Sequence, residues 1–132
     1  MSTNAALWTG RVLSGLVILF LTVDGVIKLV PIQPVTDSLK ELGYPTSDSF
    51  ARLLGVIVLA GTVLYAWPRT AALGAIVLTG LFGGAIASHL RLGDPLFSHT
   101  LFGVYLGLFL WAGLWLRDQR LRQLMPLSRP AT

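Results

Sequence analysis

The stretch "GLFGGAIASHLR" (Gly80–Arg91) decides how this chain is read. It begins as an apolar run built on glycine and alanine and ends on a histidine and an arginine two residues apart. Extended backwards to Thr70, the apolar run reaches the length of about 20 residues that a helix needs to cross about 30 Å of hydrocarbon. A second stretch, "LTVDGVIK" (Leu21–Lys28), repeats the pattern, with Asp24 and Lys28 closing another apolar run. Ionisable residues at the ends of the most hydrophobic segments set the question that the remaining sequence must answer.

Composition supplies the solvent. Of 132 residues 54% are hydrophobic and 12% charged, about half the charged share of a water-soluble domain. Four segments are long and apolar enough to span a bilayer: about 7–30, 50–67, 70–90 and 99–116. Pro31 and Pro68 stop the first two, and Thr70 is placed to cap the third. These segments lack the polar faces that a soluble helical core would require. The expected fold is therefore an all-α, antiparallel four-transmembrane-helix bundle forming one membrane domain over 1–132. No basic region precedes the first apolar segment, so it is read as a retained span rather than a signal peptide. The net charge of +4 comes without a basic stripe interleaved with aromatics, so nucleic acid is not an expected partner. With no cysteine in the chain, thiolate catalysis, disulfides and cysteine-held clusters are excluded.

The link "YAWPRTAAL" (Tyr65–Leu73) is short enough to force an antiparallel pair. The longest connection holds "QPVTDSLKELGYP" (Gln33–Pro45). There Pro34 suits a first helical position, Val35, Leu39 and Leu42 share one face, and Gly43 suits a helix end. A short amphipathic helix over about 34–42 follows, lying on the membrane or over the bundle mouth. Four spans put both termini on one side, together with Arg11, Arg69, Arg117, Arg120, Arg122 and Arg129 against Asp118. The other side holds Lys28, Lys40, Arg52 and Arg91 against Asp37, Glu41, Asp48 and Asp94. The positive-inside rule then expects cytoplasmic termini and a basic cytoplasmic tail over 117–132. Gly80, Gly84 and Ser88 make a small-residue ladder of the kind that lets membrane helices approach closely, as do Gly103 and Gly107 in the fourth span and Ala51 and Gly55 in the second, either within the bundle or at a dimer face.

The first and third spans both run away from the terminal side, so Asp24, Lys28, Ser88, His89 and Arg91 reach one depth. Arg52 and His99, at the starts of the second and fourth spans, join them, and Tyr44 lies in the connection above. Lys28 follows Asp24 at i+4, on one helix face. The pair is either an anchor for a helix end, with Lys28 reaching the headgroups, or part of a site, the default meaning of an ionisable residue inside a membrane. His89 is either a packing histidine or, with Asp24, a proton-exchanging group. In the functional reading Asp24 and His89 are catalytic, and Lys28, Arg52, Ser88, Arg91, His99 and Tyr44 bind the ligand. That ligand is a quinone headgroup, a lipid or an anion. No H-x-x-H or H-x-x-x-H spacing points to a metal.

Taken in order, "DGVIKL" (Asp24–Leu29), "LGYP" (Leu42–Pro45), "WPRTAALGA" (Trp67–Ala75) and "GGAIASHLRLGDP" (Gly83–Pro95) resemble the DoxX-like family of small four-span bacterial membrane proteins. The resemblance covers roughly Gly10 to Leu121. It implies links to thiosulfate:quinone oxidoreduction, to oxidative-stress complexes in membranes and, in animal relatives, to receptor assembly, and it carries over no catalytic set. Three functions compete: an accessory subunit or assembly factor of a redox or energy-converting complex, an intramembrane enzyme or quinone-handling subunit, and a small proton-coupled transporter. The partners that follow are the bilayer, a larger complex and a second copy of the chain. Transport fits worst, because Asp24 stands near a membrane face and has a lysine beside it.

Overall fold

A computed structural model describes residues 3–30, 32–45, 47–128 and 130. Pro31 and Arg129, given roles above, lie outside the described residues, as does the final Thr132. The chain forms α1 (Thr3–Leu29), α2 (Gln33–Glu41), α3 (Asp48–Ala66), α4 (Ala71–Leu92), α5 (Phe102–Arg117) and α6 (Gln119–Leu124). A π-helical turn, Leu96–Thr100, leads into α5. Helices α1, α3, α4 and α5, the last counted from Leu96, are each long and apolar enough to cross a membrane. Only 22–33% of each span is buried by protein, so most of the apolar surface faces lipid. The chain is an all-helical, four-span membrane bundle.

Local signals explain the element ends. Pro34 sits in the first turn of α2, and Gly43, at φ 79°, follows its end. Ser47 caps α3 by accepting from the Phe50 amide at 3.3 Å, a cap the sequence reading missed. Thr70 precedes α4, but its hydroxyl donates to the Leu64 carbonyl at 2.7 Å instead of capping the new helix. It tightens the turn rather than the start.

The spans form a closed ring in which α1 touches α3 and α5, and α4 touches the same two. Glycines at the contacts show how. Near the end carrying the α2 connection, called here the loop face, a Cβ at Gly55 would lie 2.9 Å from the Gly25 carbonyl, joining α3 to α1. At the same end a Cβ at Gly103 would lie 3.1 Å from the Phe82 carbonyl, joining α5 to α4. The other two contacts close near the termini. A Cβ at Gly74 would lie 2.7 Å from Cα of Tyr65, and one at Gly10 would lie 2.7 Å from the Gly113 carbonyl. The molecule is thus two tight hairpins, α1 with α3 and α4 with α5, fastened together at the terminal face and parted at the loop face.

The fastening is polar as well as close. Fully buried Tyr65 donates its hydroxyl to the Leu110 carbonyl at 2.6 Å, and the Ser14 hydroxyl lies 2.9 Å from the Tyr65 hydroxyl oxygen. Arg117 donates to Ser14 at 3.1 Å and places its guanidinium 5.1 Å from the centre of the Tyr65 ring. No buried side-chain nitrogen or oxygen among the described residues is left without a partner, as a bundle in lipid requires.

The small-residue ladder of α4 behaves otherwise than its spacing suggested. A Cβ built on Gly80, Gly83 or Gly84 meets no atom within 4 Å. These glycines bring no helix of this chain close, and the packing glycines are Gly10, Gly25, Gly55, Gly61, Gly74, Gly103 and Gly113. Overpacking of a tight contact costs about 1–3 kcal/mol or more, whereas surface changes stay within about 0.5 kcal/mol. Gly74→Leu is therefore expected to lower the melting temperature in detergent sharply while Gly83→Leu leaves it unchanged, and equal melting of the two variants would refute this packing.

Candidate functional site

The parting of the hairpins leaves a cavity of about 620 Å³ in the loop half of the bundle, within the 300–1,000 Å³ range of small-molecule sites. Each span supplies a wall. Phe20, Leu21 and Ile27 come from α1, Leu54 from α3, Leu81 and Phe82 from α4, and Leu106 from α5. The bare backbone at Gly80 and Gly84 forms part of the α4 wall. The small residues of "GLFGGAIAS" therefore provide space rather than contact. Helix α2 roofs the cavity: Val35 and Leu39 turn inward and pack with Ala51, Phe50, Leu54 and Ile27.

Polar groups gather at the rim. Six of the eight residues singled out from sequence line this cavity: Asp24, Lys28, Tyr44, Ser88, His89 and His99. Arg52 and Arg91 do not. Arg52 bonds the Leu29 carbonyl at 3.2 Å and lies 3.9 Å from Asp48, outside the bundle. Arg91 donates to the Leu42 carbonyl at 2.5 Å, holding the end of the α2 connection against α4. The Tyr44 hydroxyl bonds Ser88, whose own hydroxyl donates to the Gly84 carbonyl at 2.8 Å. Tyr44 also stacks on Phe50, with ring centres 5.5 Å apart.

The rim holds two separate polar pairs instead of one cluster of Asp24, Lys28 and His89. Lys28 Nζ donates to Asp24 Oδ2 at 2.7 Å, as the i+4 spacing predicts, with about a quarter of each side chain exposed. His89 pairs with Asp94, at 2.6 Å from Nδ1 to Oδ2. The cause is local. Gly93 takes a left-handed conformation after α4 (φ 67°), so the Gly93 amide bonds the Leu90 carbonyl and the Asp94 amide bonds the His89 carbonyl, each at 3.1 Å. This turn brings the side chains on either side of it together. Here they are an acid and a histidine. The signal was present in "HLRLGDP" (His89–Pro95), but depth in the membrane had suggested Asp24 as the partner.

His99, carried by the π-helical turn, sets its ring edge-on to His89 with centres 5.8 Å apart, and its Nδ1 lies 2.7 Å from the Ser98 hydroxyl. Irregular turns of this type recur at functional sites. With Nδ1 of His89 committed to Asp94, Nε2 is the ring nitrogen left for a ligand. Asp24 takes one of the three Nζ hydrogens of Lys28, and the other two have no acceptor among the described residues. Among the described residues no three of His, Asp and Glu converge tightly enough to hold a metal ion. The arrangement offers an apolar floor, a donor at Lys28 and a histidine nitrogen at the rim. Such a site suits a molecule with a polar head and an apolar body.

Comparison with known proteins gives one match: the model of the DoxX-like family aligns with residues 12–113. No curated protein and no solved structure matches the chain. The aligned region contains every cavity-lining residue named above.

The two polar pairs predict where coupling lies. In double-mutant cycles, contacting residues couple by about 0.5–3 kcal/mol and separated ones by less than about 0.5 kcal/mol. Asp24→Asn with Lys28→Met, and His89→Ala with Asp94→Asn, should each give coupling near 1 kcal/mol in thermal unfolding. Asp24→Asn with His89→Ala should be additive. Strong coupling in that last cycle would restore a single cluster.

Proposed function

The chain belongs to the DoxX-like family, and from that premise we propose that it is a small subunit of a membrane complex whose cavity holds an amphiphilic ligand. The observation that carries this is the cavity itself, apolar in its walls and polar at its rim, opening between two hairpins of one chain. The leading role is that of an accessory subunit or assembly factor of a redox or energy-converting complex in a bacterial cytoplasmic membrane. Termini in the cytoplasm and the α2 roof outside accompany it, because Arg11, Arg69, Arg117, Arg120 and Arg122 share the terminal face. Trp8 and Trp67 stand exposed there, at the level where indoles favour the interface.

One observation favours a second reading, an enzyme or quinone-handling subunit. The His89–Asp94 pair borders the cavity, and a carboxylate at Nδ1 orients the ring and supports a proton arriving at Nε2. His89 would exchange the proton, with Asp94 taking the role assigned from sequence to Asp24. Asp24 would steady Lys28, which holds the ligand's oxygen. Proton-coupled transport gains no support, since Asp24 is already matched by Lys28 and stands near the loop face.

Isolation of the chain from native membranes in mild detergent, followed by mass spectrometry, tests the proposal. A stoichiometric protein partner and a retained amphiphile are expected. Gly84→Phe fills the cavity, so it should lose the amphiphile while keeping the partner and the parental melting temperature. A chain that emerges with neither partner nor amphiphile refutes the proposal.

The orientation has its own test, helped by a sequence free of cysteine. Lys40→Cys on α2 should react with a membrane-impermeant maleimide in intact cells, and Gln123→Cys on α6 should react only after lysis. The reverse pattern would invert the topology.

A further inference from the structure

The inner cavity does not end at the bundle wall. A second cavity of about 320 Å³ lies between α1 and α5, and the two share Phe20, Phe102 and Leu106. The second is lined by Leu16, Tyr105 and Phe109 beyond those shared residues, and the hydroxyl of Tyr105 is turned away to the Phe97 carbonyl at 2.9 Å. It also runs deeper. Leu16 precedes Asp24 by eight residues on α1, or about 12 Å along a helix axis. The partition between the cavities is Leu106 and one pair of rings, Phe20 and Phe102, edge to face with centres 5.4 Å apart. Each ring is about two-fifths exposed, at 42% and 41%, so neither is locked in the core. The close backbone contact of α1 with α5 is at Gly10 and Gly113, near the termini. Nothing of that kind closes the gap at Phe20.

We infer that the two cavities form one site for a long-tailed, membrane-resident amphiphile, whose tail leaves the bundle between Phe20 and Phe102. This rests on the reading of the inner cavity as an amphiphile site. The head takes the place beside Lys28, Tyr44, Ser88 and His89, where an oxygen accepts from the free Nζ hydrogens of Lys28. The tail lies along Leu16, Tyr105 and Phe109 and stays in contact with lipid. A molecule of this class enters sideways, and its tail never has to leave an apolar medium. A water-soluble ligand would have to pass the α2 roof. Because lipid is as apolar as the groove, the tail gains little affinity there. The groove acts instead as a filter, admitting molecules whose length exceeds the inner cavity.

The test uses the full chain in lipid nanodiscs with two photoreactive palmitate analogues, one carrying a diazirine at the terminal carbon and the other beside the carboxyl. Crosslinks are mapped by mass spectrometry and scored against lipid-facing Val63 and Ile76, which report labelling from the bulk bilayer. The carboxyl-proximal probe is expected to enrich at Leu81 and Ala85, and the terminal probe at Leu16, Tyr105 and Phe109. Leu16→Trp, which obstructs the groove, should abolish the enrichment at Tyr105 and Phe109 and preserve that at Leu81 and Ala85. Terminal-probe enrichment at Leu81 and Ala85 would mean that the tail coils inside, which overturns the shared site and leaves the inner cavity's reading intact. Enrichment of neither probe over Val63 and Ile76 would overturn both.

Discussion

The buried hydroxyl of Tyr65 is the interaction on which the rest of the bundle depends. It reaches from α3 to the Leu110 carbonyl on α5 and meets Ser14 of α1 on the way. In hydrocarbon no water competes for these groups, so leaving them unpaired would be costly. Lipid offers no hydrophobic drive for helix association. Close packing and internal hydrogen bonds must supply it, and between the hairpins the close backbone approach lies at the terminal face, where Gly74 and Gly113 admit neighbouring backbones beside the Tyr65 bonds. Fixed there, the hairpins can part at the loop face without falling apart. The cavity is the geometric remainder of that fastening.

The same division explains what is spent on the site. The α4 wall at Gly80 and Gly84 contributes no packing, and α2 is held from the α4 side by two polar contacts, Tyr44 to Ser88 and Arg91 to Leu42. Val35 and Leu39 secure it on the other side against α3 and α1. The fastening of one hairpin to the other is thus drawn from one half of the membrane and accessible space from the other.

The spans were legible in the sequence because hydropathy is a local property, and the short α2 because Pro34, the apolar spacing and Gly43 agree. Tertiary partners were not. The spacing of Gly80, Gly84 and Ser88 reveals a smooth helix face but not whether a helix or a void lies opposite. The contacts that do hold the bundle use Gly55 and Gly103, which stand in the four-residue spacings Ala51–Gly55 and Gly103–Gly107, together with Gly10, Gly74 and Gly113, which stand in none that the sequence reading used. Tyr65 and Ser14 gave no sign of meeting, being 51 residues apart. Depth correctly grouped the residues of the rim yet mispaired His89, because the turn at Gly93 supplied a nearer acid. Arg52 and Arg91 reached the expected level but turned outward, since depth does not fix azimuth around a helix.

The partition into hairpins also bears on how such a chain enters a membrane. Asp24 is matched by Lys28 within the first span, and His89 bonds Asp94 at the end of the third. Neither pair needs the other hairpin. The bonds that cross between hairpins, from Tyr65, Tyr44 and the arginines at 91 and 117, join groups that lie near a membrane face or can be satisfied within their own helix. Each hairpin can therefore leave the insertion machinery with these polar groups already partnered, and the two can then dock. Asp24 and His89, the residues that make this protein look difficult to insert, are arranged so that neither has to wait, unpaired, for the other half of the chain.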